Sequence, residues 1–336
     1  MYRNIIITKV GAFFMGIWYI KELNELDEIT KRNKKLKWIQ KIIYSYKRKF
    51  CKITTWEIEN KMICVLPIEN KKPKNKKKEK FKKLAKQINN ILQDKPNQNV
   101  VLSEYLSENI EFKNELYSYN INILDGRWLF LYLLPELLDF ICIKKNELNE
   151  EQEIAIMVND NKETHLKIIT EIAQKVKMVN VITNNIEKFK KLEEYLYDNL
   201  GIMIRITNNT KKSLSKSGII INLDFPEEIL NKYTISKKAI LVNTEAETMV
   251  KSKRFSGINV HYYKVVFPQK HKEIFQQNNI YESFDKNILY ESLLYRRNSY
   301  ENIRKEIQEN KSKIVDLVGN KGIIAEEEFK RLKTNL

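Results

Sequence analysis

Glycine is scarce, with 8 residues in 336, at positions 11, 16, 126, 201, 218, 257, 319 and 322. No two of them fall in the G-x-G-x-x-G or G-x-x-x-x-G-K-[ST] spacings that let a backbone wrap a phosphate, so neither nucleotide fingerprint is present. Cysteine is scarcer still. Cys51, Cys64 and Cys142 are odd in number and lack C-x-x-C spacing, which excludes a disulfide framework and a cysteine zinc site and fits a reducing cytoplasm. Long apolar runs are also missing. Ile5 to Ile20 is interrupted by Lys9, and Trp128 to Ile143 by Pro135, Glu136 and Asp139; both fall short of the ~20 residues of a membrane span. No small-x-small cleavage signal follows Ile20, so a secretory leader is not expected either.

What is present belongs to a globular chain: 43% apolar residues, 10% aromatics and 6 prolines. A length of 336 residues implies two domains. Charge is unevenly placed. Of 60 basic and 43 acidic residues, 22 and 5 lie within residues 31–95, which leaves 38 of each sign elsewhere. A local excess of this kind suggests a polyanionic partner, although 50 lysines against 10 arginines is also what an AT-rich genome would produce.

The organisation along the chain is α/β. Residues 2–10 and 12–20 are candidate strands around Gly11, the second run being readable as a helix as well, Leu36 to Phe50 has helical spacing, and Lys52–Ile58 with Lys61–Ile68 reads as a hairpin turning at Glu59-Asn60. A basic loop at 70–83 follows, densest over Lys71 to Lys78, and Phe81, Leu84, Ile88 and Leu92 form a helical stripe beyond it. Then come strand Asn99–Ser103, helix Tyr105–Tyr119, strand Ile121–Leu124 and apolar helix Trp128–Lys144. The acidic piece 147–153 marks a boundary. Beyond it the alternation is clearest: strands at 154–158, 178–182, 202–206, 218–223 and 239–242, with helices at 163–176, 186–200 and 226–233 between them. Only the connection 208–217 is turn-rich instead of helical. Parallel pairing follows, because each crossover needs about a dozen residues. The sequence thus predicts two α/β domains, 1–146 and 147–245, the second a mostly parallel doubly wound sheet, and a mixed, helical region at 246–336 that packs on them or makes a homodimer contact.

Two segments carry a family likeness. Val181-Ile182-Thr183-Asn184-Asn185-Ile186-Glu187-Lys188-Phe189 and Ser217-Gly218-Ile219-Ile220-Ile221-Asn222-Leu223 give residues 154–243 a resemblance to the Rossmann-type domain of the shikimate dehydrogenase and glutamyl-tRNA reductase group. The resemblance implies NAD or NADP as cofactor. Where that group has a glycine-rich turn, however, this chain has Asn159-Asp160-Asn161-Lys162-Glu163, and where it commonly has an arginine for the NADP phosphate, this chain has Asn184. Asp160 and Glu163 would repel a pyrophosphate, so the expectation is a retained fold with lost or altered dinucleotide use.

Open sheets of this kind bind ligands beyond the carboxyl ends of their strands, which nominates Asn159, Asp160, Thr183, Asn184, Asn208, Asn222 and Asp224 as the ligand-facing set. The same residues also suit turns and helix caps. Gly126 and Arg127, between a strand and a helix, are a candidate anion site or a tight turn with an exposed arginine. His165, His261 and His271 lack metal-ligand spacing, Ser213, Ser215 and Ser217 lack a nucleophile elbow, and no catalytic residue is assigned. In the basic segment, Lys34, Lys37, Trp38, Lys41, Lys47, Arg48 and Lys49 interleave cations with an aromatic ring, the combination that binds nucleic acid, or else a solvated face over a core. Three functions remain open: a small-ligand-binding or assembly module, a divergent NAD(P)-dependent oxidoreductase, and a nucleic-acid-associated protein.

Overall fold

The computed structural model describes residues 17–22, 53–58, 61–66, 78–93, 98–244, 255–276, 281–295 and 299–332. The chain forms two compact units, Met1–Leu124 with Ile274–Asp285, and Asp125–Glu273 with Lys286–Leu336. Both are α/β.

The first unit is built on strands β1 (Trp18–Glu22), β2 (Thr54–Ile58), β3 (Lys61–Leu66), β4 (Asn99–Leu102) and β5 (Asn122–Leu124), in the order β2-β3-β1-β4-β5. Among the described residues of this sheet only the β2–β3 pair is antiparallel, with Ile58 opposite Lys61, while the expected turn at Glu59-Asn60 lies outside the described residues. Helix α1 (Lys78–Leu92) buries Phe81, Leu84, Ile88 and Leu92 and leaves Lys82, Lys83 and Lys86 exposed, so residues 78–83 are helix where the sequence suggested loop. The segment expected as one helix over 105–119 is two, α2 (Glu104–Ser107) and α3 (Ile110–Tyr117), because Asn109 caps the second by accepting from the Phe112 N–H at 2.8 Å. The Tyr19 ring meets Phe275 and Phe284 edge-on at 5.9 and 6.0 Å, which ties 274–285 into this unit.

The second unit contains α4 (Arg127–Tyr132), α5 (Leu134–Lys145), β6 (Glu153–Met157), α6 (Glu163–Ala173), β7 (Met178–Ile182), α7 (Lys190–Leu200), β8 (Ile204–Thr207), β9 (Ile219–Asn222), α8 (Glu227–Leu230), β10 (Ile240–Asn243), β11 (Ile258–Val265), α9 (Gln269–Gln276, which runs on into the first unit), α10 (Lys286–Leu294), α11 (Tyr300–Glu309), β12 (Ile314–Gly319), β13 (Gly322–Ile323) and α12 (Glu326–Arg331). Its eight-stranded sheet has the order β13-β12-β11-β10-β9-β6-β7-β8. The six strands β6 to β11 are parallel, and counted from β6 they read 3-2-1-4-5-6, the doubly wound order of a Rossmann-like fold with its switch between β6 and β9. The five expected strands are β6 to β10. They were legible because both faces are covered: Ile154, Ile156, Val179, Val181, Ile220, Ile221, Leu241 and Val242 are all buried.

Three further features differ from the sequence reading. The units divide at Leu124/Asp125 and not at 146/147, because α5 packs against α6, β12 and α12 of the second unit. The described strands beyond residue 245 do not stand apart, since β11, β12 and β13 extend the same sheet. The helix expected over 128–144 also breaks at Leu133, two residues before Pro135, whose missing N–H cannot continue the first helix but suits the opening turn of the second.

Candidate functional site

The carboxyl ends of β6 and β9 flank the switch point. After β6 the chain turns at Asn159-Asp160 toward α6, and both backbone N–H groups of that turn point at one side chain. Asp224, just beyond β9, accepts from the Asn159 N–H through Oδ1 and from the Asp160 N–H through Oδ2, each at 2.7 Å. The Asp224 side chain is 11% exposed. His165, on the first turn of α6, places Nδ1 at 3.0 Å from the Asp160 carbonyl and 3.8 Å from Asp224 Oδ2. Both neighbours are acceptors, so Nδ1 carries the hydrogen.

The turn is closed from the other side as well. Asn159 Oδ1 accepts from the Asn184 N–H at 2.9 Å, and Thr183 Oγ1 accepts from the Asn185 N–H at 3.1 Å. Asn159, Asp160, Thr183, Asn184 and Asp224 therefore come together around one turn. Asn222 and Asn208 do not join them. Asn222 is fully buried, donates to the Phe225 carbonyl and to Asn243 Oδ1, and begins a ladder that continues from Asn243 to Asn259. Asn208 is exposed beyond β8, two strands from β6.

This geometry does not fit a pyrophosphate. A dinucleotide would need the N–H groups that follow the first strand, and those of residues 159 and 160 already serve an internal carboxylate whose charge opposes an anionic ligand. The sequence assigned the repulsion to Asp160 and Glu163. Those two side chains are instead exposed and paired with Lys162 at 3.1 Å and Lys167 at 2.6 Å, and the Lys162 hydrogen bond holds the Asp160 carboxyl below its ordinary range. The group that fills the turn is Asp224.

The turn at Gly126 repeats the pattern. Gly126 has φ of 86°, and a Cβ there would stand 2.3 Å from Tyr262 Oη. Its N–H donates to Glu291 Oε2 at 2.7 Å, and the Leu129 N–H to Glu291 Oε1 at 3.2 Å. Glu291 is fully buried on α10. Desolvation pushes its carboxyl up to about 7, and nearby Asp125 adds to the rise while the N–H donors oppose it. Arg127 spends its guanidinium on the Thr244 and His261 carbonyls, at 3.2 and 3.4 Å. Burial, then the Arg127 charge, lowers the His261 pKa. The two residues named for anion binding are thus engaged with protein acceptors.

His165 and Glu291 had no assigned role in the sequence. The one available signal for Glu291 was a lone carboxylate inside the apolar run Ile288 to Leu294. Lys34, Lys37, Trp38, Lys41, Lys47, Arg48 and Lys49 lie outside the described residues. Among the described residues no group of three His, Cys, Asp or Glu is placed to hold a metal, and no helix is long and apolar enough to cross a membrane.

No family model matches the chain, and no curated protein is significantly similar to it in sequence. Solved structures with a similar course include L-tryptophan dehydrogenase from Nostoc punctiforme, at 8% identity over 88% of this chain and 80% of that one, with a TM-score of 0.31. Shikimate dehydrogenase from Mycobacterium tuberculosis aligns at 9% identity over 60% of this chain and 62% of its own, with a TM-score of 0.26. Ornithine carbamoyltransferase from Pyrococcus furiosus aligns at 6% identity over 82% and 83%, with a TM-score of 0.28. Likenesses at this level carry no functional argument, and it is the strand order 3-2-1-4-5-6 that makes the second unit Rossmann-like.

Proposed function

We propose that this chain is a Rossmann-like protein that has given up ordinary dinucleotide binding and serves as a small-ligand-binding or assembly module. The observation that carries the reading is the double hydrogen bond from the Asn159 and Asp160 N–H groups to Asp224, 2.7 Å each, at the turn where a pyrophosphate would dock. Calorimetric titration with NAD, NADH, NADP and NADPH tests it. No saturable binding is expected up to ~1 mM, the upper end of common enzyme affinities. Binding well below that, insensitive to salt and accompanied by substrate-dependent hydride transfer, would restore the divergent NAD(P)-dependent oxidoreductase. That second reading has the parallel strand order in its favour.

Association with nucleic acid through residues 31–95 remains a separate proposal. It is supported by the charge excess and by the exposure of Lys82, Lys83 and Lys86 on α1.

A further inference from the structure

The crossover from β8 to β9 contains no helix; residues 208–218 are turns and loop. Its apolar anchor is Leu214, which is fully buried and joins Ala155, Met157, Ile182 and Ile220 in a core cluster on one face of the sheet. Beside that anchor the same face turns polar. Asn180 on β7 and Arg205 on β8 are register partners, two residues before Ile182 and Thr207 on their strands. With Lys212, Lys216 and Ser217 of the loop they line a pocket of about 210 Å³.

Three properties of this pocket point to a ligand. Arg205, Lys212 and Lys216 are exposed, and among the described residues none of them forms an ion pair. The one carboxylate in the lining, Glu153, lies 3.9 Å from Lys177 Nζ. Ser217 is only 4% exposed, yet its hydroxyl makes no hydrogen bond to the described residues. Its oxygen is not among the sealed side-chain atoms that lack a partner, so it opens on the pocket and is free to bond a ligand there. Three unpaired cations on one small concavity repel one another, and a multiply charged anion removes that repulsion.

We propose that this pocket binds a compact phosphate dianion, free or carried on a small metabolite, with Arg205, Lys212 and Lys216 supplying charge and the Ser217 hydroxyl donating a hydrogen bond. Arginine suits the role because its planar fork matches phosphate oxygens. The volume is smaller than the pockets of drug-sized ligands, so a phosphate with a few further atoms is the appropriate size. The site lies on a face of β7 and β8, away from the Asp224 turn, and stands whether or not that turn admits a dinucleotide.

The test is a calorimetric titration of the full chain with inorganic phosphate and with glycerol 3-phosphate at constant ionic strength. Saturable binding with a dissociation constant of ~1 mM or tighter is expected for at least one of them, weakened at least ~10-fold in the triple variant Arg205→Gln, Lys212→Gln, Lys216→Gln. Binding of phosphate alone assigns the site to the free ion, and binding of both assigns it to phosphorylated metabolites. The three substituted side chains are exposed, so the variant keeps the parent unfolding temperature, and Ser217→Ala gives a second, smaller loss. Absence of saturation up to ~10 mM, or a triple variant that binds within about twofold of the parent, overturns the proposal. So does a result in which a short single-stranded RNA binds, depends on the same three residues, and neither phosphate compound does.

Discussion

Asp224 and Glu291 each cap a turn whose N–H groups would otherwise face a helix start without acceptors, and they do so from distant points in the sequence. Removing Asp224 as Asp224→Ala leaves two donors to water or to nothing, a loss of about 1–3 kcal/mol in stability that chemical denaturation reads directly. Asp224→Asn is expected to rescue little, because its amide presents one acceptor and one donor to two N–H groups. For Glu291 the sign of the pH dependence follows from a folded-state pKa raised to about 7 from 4.5. Between those values the unfolded chain loses the proton while the folded chain keeps it, so stability falls as pH rises through this window and levels off above it. The contribution is on the order of 3 kcal/mol, and it is read as the pH-dependent difference between the parent and Glu291→Gln, in which this slope is absent. A difference that is flat from pH 4.5 to 7.5 would contradict the assignment.

Elements of the second unit were legible wherever burial on both faces demanded uninterrupted apolar strands, as at Ile154–Met157 and Ile219–Ile221, and wherever a stop was chemical, as at Gly201 with φ of 66°. Long-range pairing was not legible. Asp224 lies 64 residues from Asp160, and Glu291 lies 165 from Gly126, distances over which periodicity carries no information. The loop 208–217 was readable as turn-rich, but the convergence of its lysines with Arg205 depends on strand register. The helix over 128–144 was misjudged because its apolar run hid the consequence of Pro135. Two of the three positive-φ glycines, Gly201 and Gly126, separate local from tertiary cost. Gly201→Ala meets open space and is expected to lose about 1 kcal/mol from the left-handed conformation alone. Gly126→Ala carries the same strain and also displaces the Tyr262 hydroxyl from its 3.2 Å hydrogen bond to the Asp125 carbonyl, so its unfolding midpoint falls further. Equal losses at the two sites would show that Tyr262 yields freely.

At the scale of the molecule, a chain balanced outside residues 31–95 concentrates its whole excess of charge in that segment. If the segment meets a polyanion, affinity for a short duplex falls steeply with salt, and charge reversal at Lys82, Lys83 and Lys86 reduces the slope of log affinity against log salt by up to about three. A slope unchanged by reversal places the contact elsewhere. The second unit keeps the strand order of a dinucleotide-binding fold while its own carboxylate occupies the turn on which such binding depends. The most direct measurement is nitrogen-resolved NMR of the Asn159 and Asp160 amides in the parent protein while NADH is added. Both resonances are expected to lie downfield, as N–H groups bound to a carboxylate do, and to stay in place up to ~5 mM NADH, beyond the usual range of enzyme affinities. Saturable movement of both amides with a shared dissociation constant below ~1 mM would mean that Asp224 yields its place to the cofactor, and would contradict the account.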